Sequence, residues 1–350
     1  MYVGALWVLA GQSNMVGRAK IDPSYNKDPR VRMLSVDGVW QQAAHPLHEP
    51  NRPGAGPGLE FGVSLVRATN VPVGLIPCAK GGTSMAQWSP DLASQGTASL
   101  YGNLLHRVRG EGGRVAGIVW YQGENDTGAK PSALYKETFK QFIPKLRSDL
   151  GSANLPFYYA QLARYANYVA PRSGYYSEWN IVQEAQRILE GEVPNVHMVA
   201  TVDLEHGDLI HLSRESLERV GRRFALAVQG KSGPRIASVR WESRQEIRVS
   251  ITGATGKLVV SGGRVFGFQT TVGDQPGPFF FRANIDPATN EIVLRANRDS
   301  ADRIAGDKID LWYGRGLDPI CNIVDSADLA LPMSGPIRLP PRPPLPPTGK

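Results

Sequence analysis

From residue 1 to about 230 the chain alternates short apolar runs with amphipathic stretches, which is how a parallel sheet covered by helices is written. Residues 3–9, 73–78, 116–121, 157–162 and 197–202 are the predicted strands. Helical patterns lie near residues 60–68, 99–108, 133–150, 179–189 and 214–228, and Ser213 is placed to cap the last of them. Five strands with helical crossovers predict an α/β fold, a flavodoxin-like three-layer α/β/α sandwich around a five-stranded parallel sheet. In such a sheet ligands bind beyond the carboxyl ends of the strands. The residues just after each strand are therefore the first place to look for chemistry.

After Gly230 the texture changes to short alternating runs at 237–241, 246–251, 257–261, 279–283, 291–295 and 308–313, broken by Gly, Pro and Asp. This predicts a small antiparallel β domain over residues 235–334, following a domain over 1–230. Residues 335–350 hold seven of the 27 prolines and are expected to form an extended tail, on the surface or disordered.

Composition adds mainly exclusions. The chain has 350 residues, of which 41% are apolar and 20% charged, so it is neither a disordered chain nor a disulfide scaffold. The 39 Lys and Arg against 32 Asp and Glu leave a net charge of +7. These charges are scattered without a basic run, so no nucleic-acid partner is expected, only a mild preference for anions. Cys78 and Cys321 show no metal or redox spacing. No apolar run reaches the ~18 residues of a membrane span. The opening Met1-Tyr2-Val3-Gly4-Ala5-Leu6 lacks the basic start of a signal peptide. The protein is thus expected to work where it is made, unless a leader has been removed.

Four of the five predicted strand ends carry groups that complement one another. The first ends in Gly11-Gln12-Ser13-Asn14-Met15, a Ser at the mouth of the sheet, without the second Gly of a G-x-S-x-G elbow. The second ends in Lys80-Gly81-Gly82-Thr83-Ser84, whose backbone N–H groups can approach a ligand oxygen but which lacks the order of a phosphate loop. The third ends in Trp120-Tyr121-Gln122-Gly123-Glu124, an amide donor beside a carboxylate. The fifth runs into Asp203-Leu204-Glu205-His206-Gly207-Asp208-Leu209-Ile210-His211, which contains two Asp-x-x-His pairs. A Ser hydroxyl needs a His to take its proton, and that His needs a carboxylate to hold its tautomer. Asp208 and His211 are preferred because they lie further beyond the strand, while Asp203 is expected to end the strand and shape the loop. Ser, Gly-Gly, Gln and Asp-x-x-His each fill a different role in one acyl-transfer site.

With those four blocks in order, the sequence resembles the SGNH/GDSL hydrolase superfamily, and within it the sialate O-acetylesterase-like and carbohydrate esterase family 6 branch. The resemblance implies Ser13 as nucleophile, His211 as general base, Asp208 as its orienter, and an oxyanion hole of the Ser13 and Gly82 N–H groups with the Gln122 side chain. Gln122 stands where many superfamily members have Asn, and Leu212 where many have Pro. Residues 311–332 also look like the end of sialate O-acetylesterases, which assigns the β domain as accessory. The implied activity is removal of O-acetyl groups from carbohydrates, such as acetylated xylan or sialic acid, with neither metal nor organic cofactor.

Gln12, Glu124, Trp88, Tyr121, Arg164 and Tyr165 are the candidate substrate contacts. Further aromatics, Tyr168, Tyr175, Tyr176 and Trp179, flank Arg164 and Arg172 after the fourth strand, where an Arg would suit a carboxylated sugar. Residues 21–57 are expected to wall the cleft. His45 and His48 do not make a metal site, because Pro46 breaks any helix that would align them. Asn125-Asp126-Thr127 is a formal glycosylation acceptor whose glycan would crowd the Gln122 loop. The rival readings are a lipase, arylesterase or thioesterase of the same superfamily, or a carbohydrate-binding module on the same fold.

Overall fold

The computed structural model describes residues 4–25, 28–49, 51–166, 175–273, 275–277, 280–296 and 309–343, with the side chains of 175–177 excepted. The chain divides into two compact units, Met1–Gly230 and Lys231–Lys350.

In the first unit the order is β1 (Ala5–Gly11), α1 (Ser13–Val16), β2 (Val31–Leu34), β3 (Trp40–Gln42), α2 (Gly58–Thr69), β4 (Val73–Pro77), α3 (Leu100–Gly110), β5 (Gly117–Tyr121), α4 (Ala129–Asp149), β6 (Phe157–Ala160), α5 (Tyr175–Glu192), β7 (Val196–Val199) and α6 (Arg214–Val228). The sheet runs β3-β2-β4-β1-β5-β6-β7, and every neighbouring pair is parallel except β2 with β3. All five expected strands are present. The sheet is nevertheless seven-stranded and mixed rather than five-stranded and parallel, because residues 21–57 contribute β2 and β3. Val31-Arg32-Met33-Leu34 is too short to display a period, and its pairing with β4 is a tertiary effect invisible in sequence.

Strand β1 sits between β4 and β5, so the chain order reverses at its carboxyl end. That is the topological switch point, where a crevice opens in sheets of this kind. The strands are held by buried aromatics. Tyr135, Phe139, Phe142, Ile143 and Leu146 of α4 form one apolar stripe, and the Phe142 ring lies 5.1 Å from that of Trp120 on β5. On α6, Arg223 is fully buried and reaches back to Asp203 with two bonds of 2.7 Å, while a third of 2.7 Å goes to the Ala200 carbonyl. Arg219 adds a contact of 3.2 Å to the same carboxylate. Ser213 caps α6 as expected, its Oγ accepting from the Ser216 N–H.

Gly11 ends β1 at φ 123°, and a Cβ there would lie 2.1 Å from the Tyr121 carbonyl oxygen. Only glycine permits that conformation and that approach. Gly11→Ala is expected to cost about 2 kcal/mol or more, read as a lower urea midpoint; an unchanged midpoint would contradict it.

The second unit is antiparallel throughout. Phe280–Ile285, Ile292–Ala296, Glu246–Thr252 and Arg235–Trp241 make one four-stranded sheet. Gln275–Pro276, Phe268–Val272, Ile309–Tyr313 and Ser334–Arg338 make another, and Leu258–Val260 pairs with Ile323–Asp325. The extended tail expected from residue 335 is corrected at its start. Gly335 to Arg338 belong to an edge strand, a position that tolerates Pro336. Beyond it the Trp241 indole donates to the Pro340 carbonyl at 3.0 Å, and the Arg342 guanidinium lies 5.7 Å from the Trp241 ring centroid. Residues 344–350 of that segment lie outside the described residues.

Candidate active site

Ser13 opens the four-residue helix α1 directly beyond β1, and the Gln12 N–H is held to the Tyr121 carbonyl at 2.7 Å. The loop after β7 folds back on itself: the Ser213 N–H donates to the Glu205 carbonyl at 2.9 Å and the Gly207 N–H to that of His211 at 2.8 Å. Asp208 closes the turn, its Oδ1 accepting from the N–H groups of Ile210 at 2.9 Å and His211 at 2.7 Å. This geometry frees Oδ2 for the ring. His211 Nδ1 stands 2.7 Å from Asp208 Oδ2, and Nε2 stands 3.0 Å from Ser13 Oγ. Burial raises the Asp208 carboxyl, but the bonds from the His211 ring and from the two N–H groups outweigh it and hold it below its usual range.

The second Asp-x-x-His pair is not brought together for chemistry, since Asp203 is clamped by Arg223 and Arg219. Asp203 was expected to end the strand, but β7 stops at Val199 and Asp203 lies in the turn beyond it, where it fixes the loop to α6.

Gly82 lies after β4 at φ 71°, exposed, with its carbonyl accepting from Asn125 Nδ2 at 2.7 Å. Within the described residues no hydrogen bond engages the N–H of Gly82 or that of Ser13. Gln122 is different. Its amide nitrogen donates to Asp126 Oδ2 at 2.5 Å and to the Thr83 carbonyl at 3.1 Å, and Gln12 Oε1 lies 3.3 Å away. An amide nitrogen has two hydrogens, so Gln122 is a strut between the loops after β4 and β5 rather than the expected oxyanion donor. Asp126 completes that strut by accepting from the Met85 N–H at 2.9 Å; burial raises its carboxyl against these bonds.

Other candidate contacts also prove structural. Trp88 is fully buried, its indole donating to Thr83 Oγ1 at 3.0 Å and its ring 5.1 Å from Trp120. Tyr121 is equally buried, its hydroxyl 3.3 Å from Thr201 Oγ1. Neither can be a sugar platform, because both rings are buried: Tyr121 at the end of β5 and Trp88 in the loop after β4. Trp179 is buried too, donating to the Ala163 carbonyl at 2.9 Å. Gln12 turns its amide oxygen toward the N–H groups of Gly123 at 3.3 Å and Asn125 at 3.4 Å. Arg164 is paired with Glu205 at 2.7 Å, which matches the charge expected to face an acidic sugar. Tyr165 is half-buried with its ring 5.4 Å from that of Trp179. Tyr168 and Arg172, and the side chains of Tyr175 and Tyr176, lie outside the described residues. His48 Nδ1 accepts from the Ala79 N–H at 3.2 Å, and burial pushes His48 down to about 3 and His45 to about 4. Burial thus favours the neutral form of both rings, and His48 supports the loop after β4.

Glu124 is buried and accepts at Oε1 from Asn14 Nδ2 at 2.7 Å. No local signal in Gln12-Ser13-Asn14 marks this contact, whose partner lies 110 residues away. The expected role of Glu124 as a substrate contact does not fit this burial. Burial raises the Glu124 carboxyl above its ordinary 4.5, against the Asn14 hydrogen bond. Its folded form therefore holds a proton more tightly than the unfolded chain, a stabilisation complete below pH 4.5 and lost as pH rises through the raised value. Glu124→Gln is expected to flatten the fall of unfolding free energy above that pH; parallel profiles for the two proteins would contradict it.

Comparison with known proteins gives the family. The family model described as "Carbohydrate esterase, sialic acid-specific acetylesterase" matches residues 3–230. The probable carbohydrate esterase At4g34215 of Arabidopsis thaliana is 28% identical over 249 residues, covering 63% of this chain and 89% of that protein. Its crystal structure superposes with a TM-score of 0.56 at 25% identity over 66% of this chain and 99% of that one. The carbohydrate acetylesterase XAC1771 of Xanthomonas citri superposes over 95% of this chain and 80% of its own with a TM-score of 0.76 at 22% identity, which speaks for a shared fold. On the extent of the family match, this chain belongs to the carbohydrate esterases of the sialic acid-specific acetylesterase family and is a carboxylic ester hydrolase.

Proposed function

We propose that this carbohydrate esterase is a serine O-acetylesterase, with Ser13 as nucleophile, His211 as general base and acid, and Asp208 as the orienter of the imidazole. The observation that carries the reading is the unbroken line from Asp208 Oδ2 through the ring to Ser13 Oγ, with links of 2.7 and 3.0 Å. Ser13 Oγ adds to the acetyl carbonyl as its proton passes to His211 Nε2, and the resulting imidazolium is stabilised by Asp208. The oxyanion falls to the N–H groups of Ser13 and Gly82, each donor of this kind contributing about 3 kcal/mol of transition-state stabilisation. Collapse expels the sugar oxygen, which takes the proton from His211. Water, deprotonated by the same ring, then cleaves the acetyl-Ser13 ester to acetate and returns the proton to Ser13.

The second unit, Lys231–Lys350, is read as accessory, since the triad and both oxyanion donors lie in Met1–Gly230. The substrate is an O-acetylated carbohydrate. A series of 4-nitrophenyl esters tests acyl selectivity: acetate is expected to exceed butyrate by about tenfold or more, because one methylene in a fitted pocket is worth about tenfold or more. A maximum beyond four carbons would make the enzyme a lipase. Acetate release from acetylated xylan and from O-acetylated sialic acid then identifies the sugar class.

A further inference from the structure

In the second unit, the sheet of Phe280–Ile285, Ile292–Ala296, Glu246–Thr252 and Arg235–Trp241 buries Ile247, Val249, Ile292 and Leu294 on one face. Its other face carries two directly opposed pairs of like charge. Arg240 stands opposite Arg248, and Arg282 stands opposite Arg295. Val293, the register partner of Arg248, is two residues from Arg295 on the same strand, so both pairs share that face. Like charges directly opposite one another destabilise a sheet, and each pair therefore calls for an anion.

The first pair has its anion built in. Glu291 accepts from Nη1 and Nη2 of Arg240 at 2.5 and 2.9 Å, from Arg248 Nη1 at 3.4 Å and from the Ser250 hydroxyl at 2.6 Å. The bonds from Arg240 and Ser250 hold the Glu291 carboxyl down at about 2, so the group seated there is a carboxylate. The second pair has no such bridge. Arg295 reaches Glu246 at 2.8 Å, whereas the exposed Arg282 has no hydrogen bond or ion pair among the described residues. Beside it lies a cavity of about 280 Å³, lined by Arg248, Arg282, Asn284, Asp286, Val293 and Arg295.

We propose that this cavity binds the carboxylate of an acidic sugar unit, which Arg282 and Arg295 receive as Arg240 and Arg248 receive Glu291. A guanidinium fork matches a carboxylate in shape as well as charge. The Asn284 amide and the Asp286 carboxylate add partners for sugar hydroxyls, and Val293 supplies an apolar spot on the floor. Glu242, Glu246, Asp286 and Glu291 accompany the four arginines, so this face does not present the concentrated positive charge that draws nucleic acid. Isolated carboxylates spaced along a neutral chain suit it better. The choice of a sugar as their bearer rests on the carbohydrate esterase reading, whereas the vacant anion seat does not. The cavity lies wholly within Lys231–Lys350, which gives the accessory unit a binding function of its own.

The test is titration calorimetry of the full chain, at low ionic strength, with tri-galacturonate, its uncharged methyl ester and tri-glutamate. Tri-galacturonate is expected to bind about tenfold or more tightly than the methyl ester, the scale of a charge-assisted hydrogen bond. Arg282→Ala is expected to lose about tenfold or more of that affinity. Its melting midpoint is expected to be no lower than that of wild type, because a like-charge contact is relieved, and its kcat/KM on 4-nitrophenyl acetate is expected to be unchanged. Equal binding of acid and ester, wild-type affinity in Arg282→Ala, or no binding of tri-galacturonate at millimolar concentration would overturn the proposal. Tri-glutamate bound as tightly as tri-galacturonate would overturn the assignment to a sugar. Ser13→Ala separates this inference from the esterase reading. It is expected to bind tri-galacturonate as wild type does, and a loss of binding would overturn the inference by placing the sugar at Ser13. Ester hydrolysis by Ser13→Ala at the wild-type rate would defeat the esterase reading alone.

Discussion

His211→Ala is expected to lower kcat/KM for a short acetyl ester by about 10⁴-fold or more, the scale on which removal of a catalytic base disables a serine hydrolase. His206→Ala, five positions earlier, changes it by less than about threefold, as a substitution outside the reacting groups does. The contrast follows from where the two carboxylates point. Asp208 offers Oδ2 to His211 at 2.7 Å, and the ring reaches Ser13 at 3.0 Å. Asp203, the equivalent partner for His206 at the same spacing, has both oxygens turned to the guanidinium groups of Arg223 and Arg219 instead. Comparable losses in the two variants, measured on the same ester, would show that the loop is read in the wrong register.

The second large effect is on stability. Asp203→Ala removes the carboxylate that holds the Arg223 guanidinium, whose side chain is 1% exposed, with two bonds of 2.7 Å. Breaking a buried pair from one side costs about 3–5 kcal/mol. For a unit of this size each kcal/mol shifts the melting midpoint by about 2–4 °C, so a fall of about 6–12 °C or more is expected. Arg219→Ala, at the half-exposed edge of the same cluster, is expected to cost about 1 kcal/mol or less. A melting midpoint for Asp203→Ala within a degree of wild type would mean that the pair does not tie α6 to β7. Replacement of both Asp203 and Arg223 by apolar residues is expected to recover part of the loss, because desolvation of the pair disappears with it.

How much of this was legible beforehand depended on the range of the interactions involved. Helix α6 was read with the bounds it has, Arg214–Val228, since an N-cap Ser and an amphipathic period are local signals. The proposed triad is legible because Asp208 and His211 are three residues apart and Ser13 lies just beyond a buried strand. Gln122 was read correctly as a group at the site's edge and incorrectly as a free donor, because the acceptors that engage it, Asp126 and the Thr83 carbonyl, come from two different loops. Trp88 and Tyr121 have the composition of a sugar platform, but burial is a tertiary property and placed them in the core. Strands β2 and β3 and the edge strand Ser334–Arg338 were missed for a related reason: each is a short segment whose regularity comes from its partner strand. Asn14 carried no sequence signal at all, since its partners lie 110 and 196–198 residues away.

In the proposed mechanism one hydroxyl, that of Ser13, carries the acetyl group. The most direct measurement is hydrolysis of 4-nitrophenyl acetate by wild type and by Ser13→Ala at equal folded concentration, with the mass of the quenched protein read in the same samples. A loss of about 10⁴-fold or more is expected in the variant, with a single added acetyl group on the peptide containing Ser13 in wild type alone. Equal rates in the two proteins, or an acetyl group carried by another residue, would contradict it.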